Sequence, residues 1–308
     1  MQMQLRKLKM RERLSQLLVE NGKNNPLFQV LTGDHGYALF DEFRSVCSNQ
    51  FINVGIAEQS MVGIAAGLAK MGFRPVVYGL AAFVPMRVLE FIKMDVCYNN
   101  LPVIFLGDGA GLVYSTLGSS HQCGEDIAVL RVLPNIKIYS PADKFELDLC
   151  FNLAMEDKLN ASYIRLGKSD RPLIHSQTIN KTKSLIKIHT EASSKAFIAT
   201  GSMVATALEI ARANGWNCFS APCISDFAET GLASQLQGIN SVVTLEEHFE
   251  DGGLGSNIAE LILKENIQIS LKRIGLKRKF TSISGSYENA IAEHNLTKDQ
   301  IASELGLK

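Results

Sequence analysis

The acid best placed for chemistry is Glu58, within FINVGIAEQSMVGIAAGLAK from Phe51 to Lys70. Phe51, Ile52, Val54 and Ile56 suit a strand, whereas Met61, Ile64, Ala65 and Leu68 recur at helical spacing. Glu58 is therefore expected where a strand gives way to a helix. A carboxylate there feels the partial positive charge of the first turn. Gly55, Ala57, Gly63, Ala65, Ala66 and Gly67 are small enough for something bulky to lie close. Plain capping of the helix dipole is the other reading of this acid. His35, in GDHG after the apolar run PLFQVLTGD, falls at the carboxyl edge of an expected sheet, where α/β proteins hold ligands. It reads first as a surface-loop histidine and second as a substrate contact.

Two glycine-rich loops invite phosphate chemistry. GDGAG, Gly107 to Gly111, with Asn135 downstream, superficially matches the pattern in which an Asp and an Asn hold the metal that grips thiamine diphosphate. That pattern needs a helix directly after the GDG turn, and here a loop runs on to His121. GGLGSN, Gly252 to Asn257, suits a phosphate cradle at a helix start, but close packing of a strand on a helix accounts for the same glycines. No metal site is expected on this chain.

The elements that must position these residues follow from the pattern of the chain. Strand-like runs (PLFQVLTGD, PVVYGLAAF, LPVIFLGDGAG, the end of IAVLRVLPNIKIYSPAD, ASYIRLG) alternate with helical ones, which implies a parallel sheet covered on both faces. Met10, Leu14, Leu17 and Leu18 share one face of a first helix. Met86 to Asn99 reads as a helix with Val88, Phe91, Ile92 and Val96 inward. Lys168 to Ser194 turns polar and lysine-rich, the best linker candidate, and a second α/β run begins at KAFIATGS. Thr297, followed by Asp299 and Gln300, caps a last helix. With 308 residues, 46% hydrophobic, 20% charged and a net charge of +0, the chain suits two globular domains and offers no footprint for nucleic acid. Pro75 to Met86, the longest apolar run, is too short to span a bilayer. Six cysteines without a CxxC pair indicate neither a disulfide framework nor a metal site and suit a reducing cytoplasm.

VGIAEQ with Glu58, YGLAAFVPMR with Phe83 and Arg87, SSHQCGEDIAVLRVLPNIKIYSPAD with His121, YIRLG with Arg165, and VVTLEEHFEDGGLGSNIAE together resemble the C-terminal half of transketolase. The resemblance runs from about Leu27 to the end. It implies an α/β chain of two domains: a doubly wound, parallel-sheet pyrimidine-binding domain over 1–170, a linker over 171–194, and a smaller transketolase C-terminal-like domain over 195–308. It also implies a split enzyme of which this is the small subunit. Glu58 would hydrogen-bond the pyrimidine ring of thiamine diphosphate and so activate the cofactor. Phe83 would stack on that ring, with Ile56 beside it, unless Phe83 is ordinary core. His121 would face the substrate, or else cap the next helix. Arg165 and Arg87 would bind an anionic substrate group, or pair with carboxylates of their own chain.

The same resemblance places the diphosphate, with its Mg2+ or Ca2+, on a large partner subunit, in a heterotetramer of two large and two small chains whose small chains dimerise. The implied reaction is transfer of a two-carbon ketol unit from a ketose to an aldose. A 1-deoxyxylulose-5-phosphate synthase-like chain, the β subunit of a 2-oxoacid dehydrogenase and a non-catalytic stabilising partner are the alternatives. Two positions depart from the family pattern for sugar phosphates: Leu117 stands where an acid contacts a donor hydroxyl, and Gly107 or its neighbour where a histidine meets the phosphate.

Overall fold

The computed structural model describes residues 9–225 and 231–308. Two sheets organise the chain. The first has the order β2-β1-β3-β4-β6-β5, with β1 Phe28–Thr32, β2 Phe51–Asn53, β3 Arg74–Leu80, β4 Ile104–Asp108, β5 Ile136–Tyr139 and β6 Ala161–Leu166, every neighbour parallel. Parallel strands need crossovers, and the helices that supply them bury both faces. Hence FQVLT in β1 is apolar enough to be buried at every position.

The second sheet has the order β11-β10-β8-β9-β7, with β7 Ile186–His189, β8 Lys195–Ala199, β9 Asn217–Ser220, β10 Ser241–Phe249 and β11 Ser270–Leu276. Only β7 runs antiparallel. It lies inside the polar stretch expected as linker, where the alternation of IKIH is masked by surrounding lysines.

The Met10–Asn24 helix buries Met10, Leu14, Leu17 and Leu18, and Thr297 closes a capping box with Gln300 at the Lys298–Glu304 helix, as the spacing predicts. Two elements differ. The strand expected to reach Ile56 stops at Asn53, whose side-chain oxygen accepts from Gly55 N–H, and Gly55 turns left-handed at φ 71°, which leaves Ile56 80% exposed. The helix expected over Met86 to Asn99 is a 3-10 turn (Met86–Val88), one α turn (Leu89–Phe91) and a π-helix (Ile92–Cys97). Its widened turns, with Tyr98 N–H on Lys93 C=O, keep Val88, Ile92 and Val96 inward at intervals of four.

The two sheets' units share a core in which Ile136 and Ile138 pack with Phe219, Ile224 and Ile258. Backbone hydrogen bonds stitch the seam, from Ser140 N–H to Pro222 C=O and from Ile224 N–H to Ile138 C=O. All six cysteines are buried and free. Among the described residues no helix is long and apolar enough to cross a membrane.

Candidate active site

The carboxyl ends of β1, β2 and β3 open onto one cluster of side chains, the edge where parallel sheets hold ligands. Glu58 is the first residue of the Glu58–Lys70 helix and only 4% exposed. Its Oε1 lies 2.9 Å from Arg87 Nη1 and 4.0 Å from His35 Nε2. The Arg87 guanidinium also stands 4.1 Å above the Phe83 ring centroid. Phe83 in turn neighbours His35 (centroids 5.9 Å apart) and meets His121 edge to face at 5.4 Å. Glu58, His35, Phe83, Arg87 and His121 thus form one constellation.

Local structure holds each member in place. Thr32 Oγ1, at the end of β1, donates to His35 C=O and accepts from His35 N–H. Phe83 N–H returns to Leu80 C=O, and Arg87 N–H to Phe83 C=O, so the turn after β3 presents ring and guanidinium together. His121 ends a 3-10 turn, with Ser120 Oγ 2.9 Å from its Nδ1. His35 Nε2 is buried and has no hydrogen-bond partner in the chain. A cleft of about 500 Å3, lined by Thr32, Asp34, His35, Tyr37, Phe51 and Asn53, opens beside it. An aromatic ring and a buried carboxylate bridged by Arg87, beside an imidazole nitrogen without a partner, suit a flat ring that both accepts and donates hydrogen bonds.

Arg165 is not brought to this cluster. It is 1% exposed at the seam between the two units, Nε bonded to both oxygens of Asp126 at 3.0 and 2.9 Å and Nη2 to Glu247 C=O at 2.6 Å. Burial works against its charge, and the Asp126 carboxylate outweighs burial, raising its pKa. The expectation that it meets an anionic substrate gives way to the in-chain pair, because a guanidinium so enclosed has no face left for a ligand.

The glycine loops are filled from within the chain. Asp108 accepts from Tyr78, Tyr114 and Arg11, while Asn135 donates to Cys97 C=O in another part of the fold. Among the described residues no three His, Cys, Asp or Glu side chains gather as metal ligands. In GGLGSN the helix-start N–H groups of Leu254 and Gly255 are taken by Glu246, and a Cβ at Gly255 would lie 2.7 Å from Thr244 Oγ1, so close packing accounts for these glycines. At Gly107 a Cβ would run into the Tyr163 ring, which is fixed by its hydroxyl on Asp126. The space for a longer side chain there is occupied. Leu117 lies 53% exposed in the turn that leads to His121.

A doubly wound parallel domain with this cluster at its carboxyl edge, joined to a second α/β unit, defines the class of thiamine-dependent, transketolase-like proteins. The chain belongs to the transketolase family: residues 6–172 match "Transketolase, pyrimidine binding domain" and residues 185–301 match "Transketolase, C-terminal domain". It is 31% identical over 288 residues to one of the subunits of the apulose-4-phosphate transketolase of Actinobacillus succinogenes, covering 92% of each chain. It is 30% identical over 304 residues to "Putative transketolase C-terminal section" of Methanocaldococcus jannaschii, covering 96% of this chain and 95% of that one. The 1-deoxy-D-xylulose-5-phosphate synthase of Gloeothece citriformis is 31% identical over 307 residues, and the match spans 94% of this chain but 46% of that protein. The solved structure described as "Split gene transketolase, inactive beta4 tetramer" superposes with a TM-score of 0.86 at 29% identity, covering 97% of both chains.

Sequence reasoning missed Asp126 and Glu247. Both are acids in short polar runs, GED and EEH, and nothing local separates them from solvated charges.

Proposed function

We propose that this chain is the small subunit of a split, thiamine diphosphate-dependent transketolase, contributing the half of the active site that reads the cofactor's pyrimidine. The observation that carries the reading is a nearly buried Glu58 at a helix start, grouped with Phe83, His35 and His121 beside an open cleft. Thiamine diphosphate, when bound, supplies the nucleophilic carbon and electron sink through which a two-carbon ketol unit leaves a ketose and joins an aldose. Glu58 hydrogen-bonds the pyrimidine ring nitrogen, a role that suits a carboxylate shielded from water. Phe83 offers the ring face for stacking, and Ile56 covers the edge. His121 and His35 present imidazole nitrogens to sugar oxygens, and Arg87, with its side chain 45% exposed, meets an anionic substrate group. Arg165 takes no part.

The grip on the diphosphate and its Mg2+ or Ca2+ belongs in this reading to a large subunit, because the side chains of GDGAG are committed to Tyr78, Tyr114 and Arg11. An assembly of two large and two small chains is part of this reading, with domains over 1–170 and 195–308, the second extended upstream by β7 from within 171–194. The filled space at Gly107 points to a donor other than the usual sugar phosphates. The test mixes the chain with a candidate large subunit. Ketose donors should turn over without carbon dioxide release; turnover of pyruvate with carbon dioxide release would favour the synthase-like reading. Undiminished turnover of Glu58→Ala in an intact assembly would remove the catalytic role altogether.

A further inference from the structure

We infer that the second unit is the scaffold of the His121 loop, and that Thr281 and Glu247 are positioning residues for the ketol-transfer site. The loop leaves β4 and is pinched shut by a two-way backbone bridge, Gly111 N–H to Cys123 C=O at 2.7 Å and Cys123 N–H to Gly111 C=O at 2.9 Å. Besides its own 3-10 turns, Tyr114 Oη on Asp108 and Arg165 at its exit, the ties on the loop come from beyond residue 240. At the entry, Leu112 N–H donates to Glu247 Oε1 at 2.7 Å, and the other oxygen of Glu247 accepts from Tyr287 at 2.6 Å and from Ser202. At the middle, the segment after β11 lies against the loop: Gly285 N–H donates to Ser115 C=O, and Ser119 Oγ donates to Thr281 C=O. Thr281 Oγ1 donates to Gln122 Oε1 at 2.7 Å, next to His121. At the exit, Phe249 N–H donates to Gly124 C=O at 2.7 Å, and Arg165 Nη2 spans Cys123 C=O and Glu247 C=O.

A loop of thirteen residues, 111 to 123, carrying one imidazole would be mobile if tied only at its closing bridge. Here it is tied at start, middle and end, and the ties fix the edge-to-face contact of His121 with Phe83. The second unit therefore acts on the site without reaching it. This inference rests on the reading of His121 as substrate-facing.

Thr281→Val removes the bond to Gln122 and the 3.2 Å contact with His294 Nε2 and keeps the side chain's shape, and Thr281→Ser restores the hydroxyl. In the full-length chain, Thr281→Val should speed hydrogen exchange at the His121 and Cys123 amides by about tenfold. In the complex with the large subunit it should lower kcat/KM for the ketose donor by about tenfold. The serine variant should restore both. Unchanged exchange overturns the clamp. Faster exchange with unchanged turnover, while His121→Ala is inactive, overturns positioning. Should His121→Ala also retain full turnover, the substrate-facing reading of His121 fails instead and the clamp stands as architecture.

Discussion

Replacing Arg165 by Met tests whether this arginine is a strut or a ligand group. The side chains of Arg165 and Asp126 are 1% and 0% exposed, so the variant strands a carboxylate whose remaining side-chain partner is the Tyr163 hydroxyl. Removing one partner of a buried pair costs about 3–5 kcal/mol. The carbonyl of Glu247 loses this donor as well, at about 1 kcal/mol, while that of Cys123 keeps Gly111 N–H. For a chain of this size each kcal/mol lowers a melting midpoint by roughly 2–4 °C, so a fall on the order of 10 °C is expected. Adding Asp126→Asn removes the stranded charge and should recover part of the loss, a coupling of about 1–3 kcal/mol. Thermal unfolding of the single and double variants measures both. A midpoint within ~2 °C of the parent, together with a raised KM for an anionic donor, would refute the reasoning, because it would mean that substrate reaches Arg165.

Glu58→Gln in the complex should lower kcat by about 100-fold or more while leaving assembly intact, since general acid–base contributions run to that size; steady-state kinetics beside light scattering decide it. Arg87→Ala should destabilise by about 1–3 kcal/mol, because it leaves the 4% exposed Glu58 carboxylate without its guanidinium partner, and raise KM for anionic donors and not for neutral ones. The stability of the chain should fall as pH rises above 6.5 through His175. Burial opposes its charge, but its bond to Glu146 at 2.9 Å wins and raises its pKa above the ordinary 6.5, so the stabilisation is complete below 6.5 and is lost as pH climbs through the raised value. His175→Gln should flatten that slope in urea titrations at several pH values.

Much of the fold was legible because the first sheet is written in apolar runs separated by helical spacing. The junction at Glu58 shows in residue type alone, β-branched and aromatic before it and small after it. His121, Phe83 and Arg87 became candidates through the family pattern, and their meeting with Glu58 is a tertiary fact that no local spacing encodes. Arg165 shows the limit most plainly. An arginine at the end of a strand looks the same whether it faces a ligand or a carboxylate 39 residues away, and only burial tells the two apart. The edge strand Ile186–His189 escaped because its short alternation is set among lysines, and the π-turn at Ile92–Cys97 because an apolar spacing of four also fits an α-helix.

Gly107 lies against Tyr163, Tyr163 is tethered to Asp126, and Asp126 is locked to Arg165. A side chain introduced at Gly107 therefore meets a ring that cannot step aside without loosening the seam between the two units. Under the proposed reading, a histidine at this position requires that a smaller residue first replace the tyrosine, with Asp126 still held by Arg165. The order of the two changes is thus set by packing: the ring must shrink before position 107 can grow.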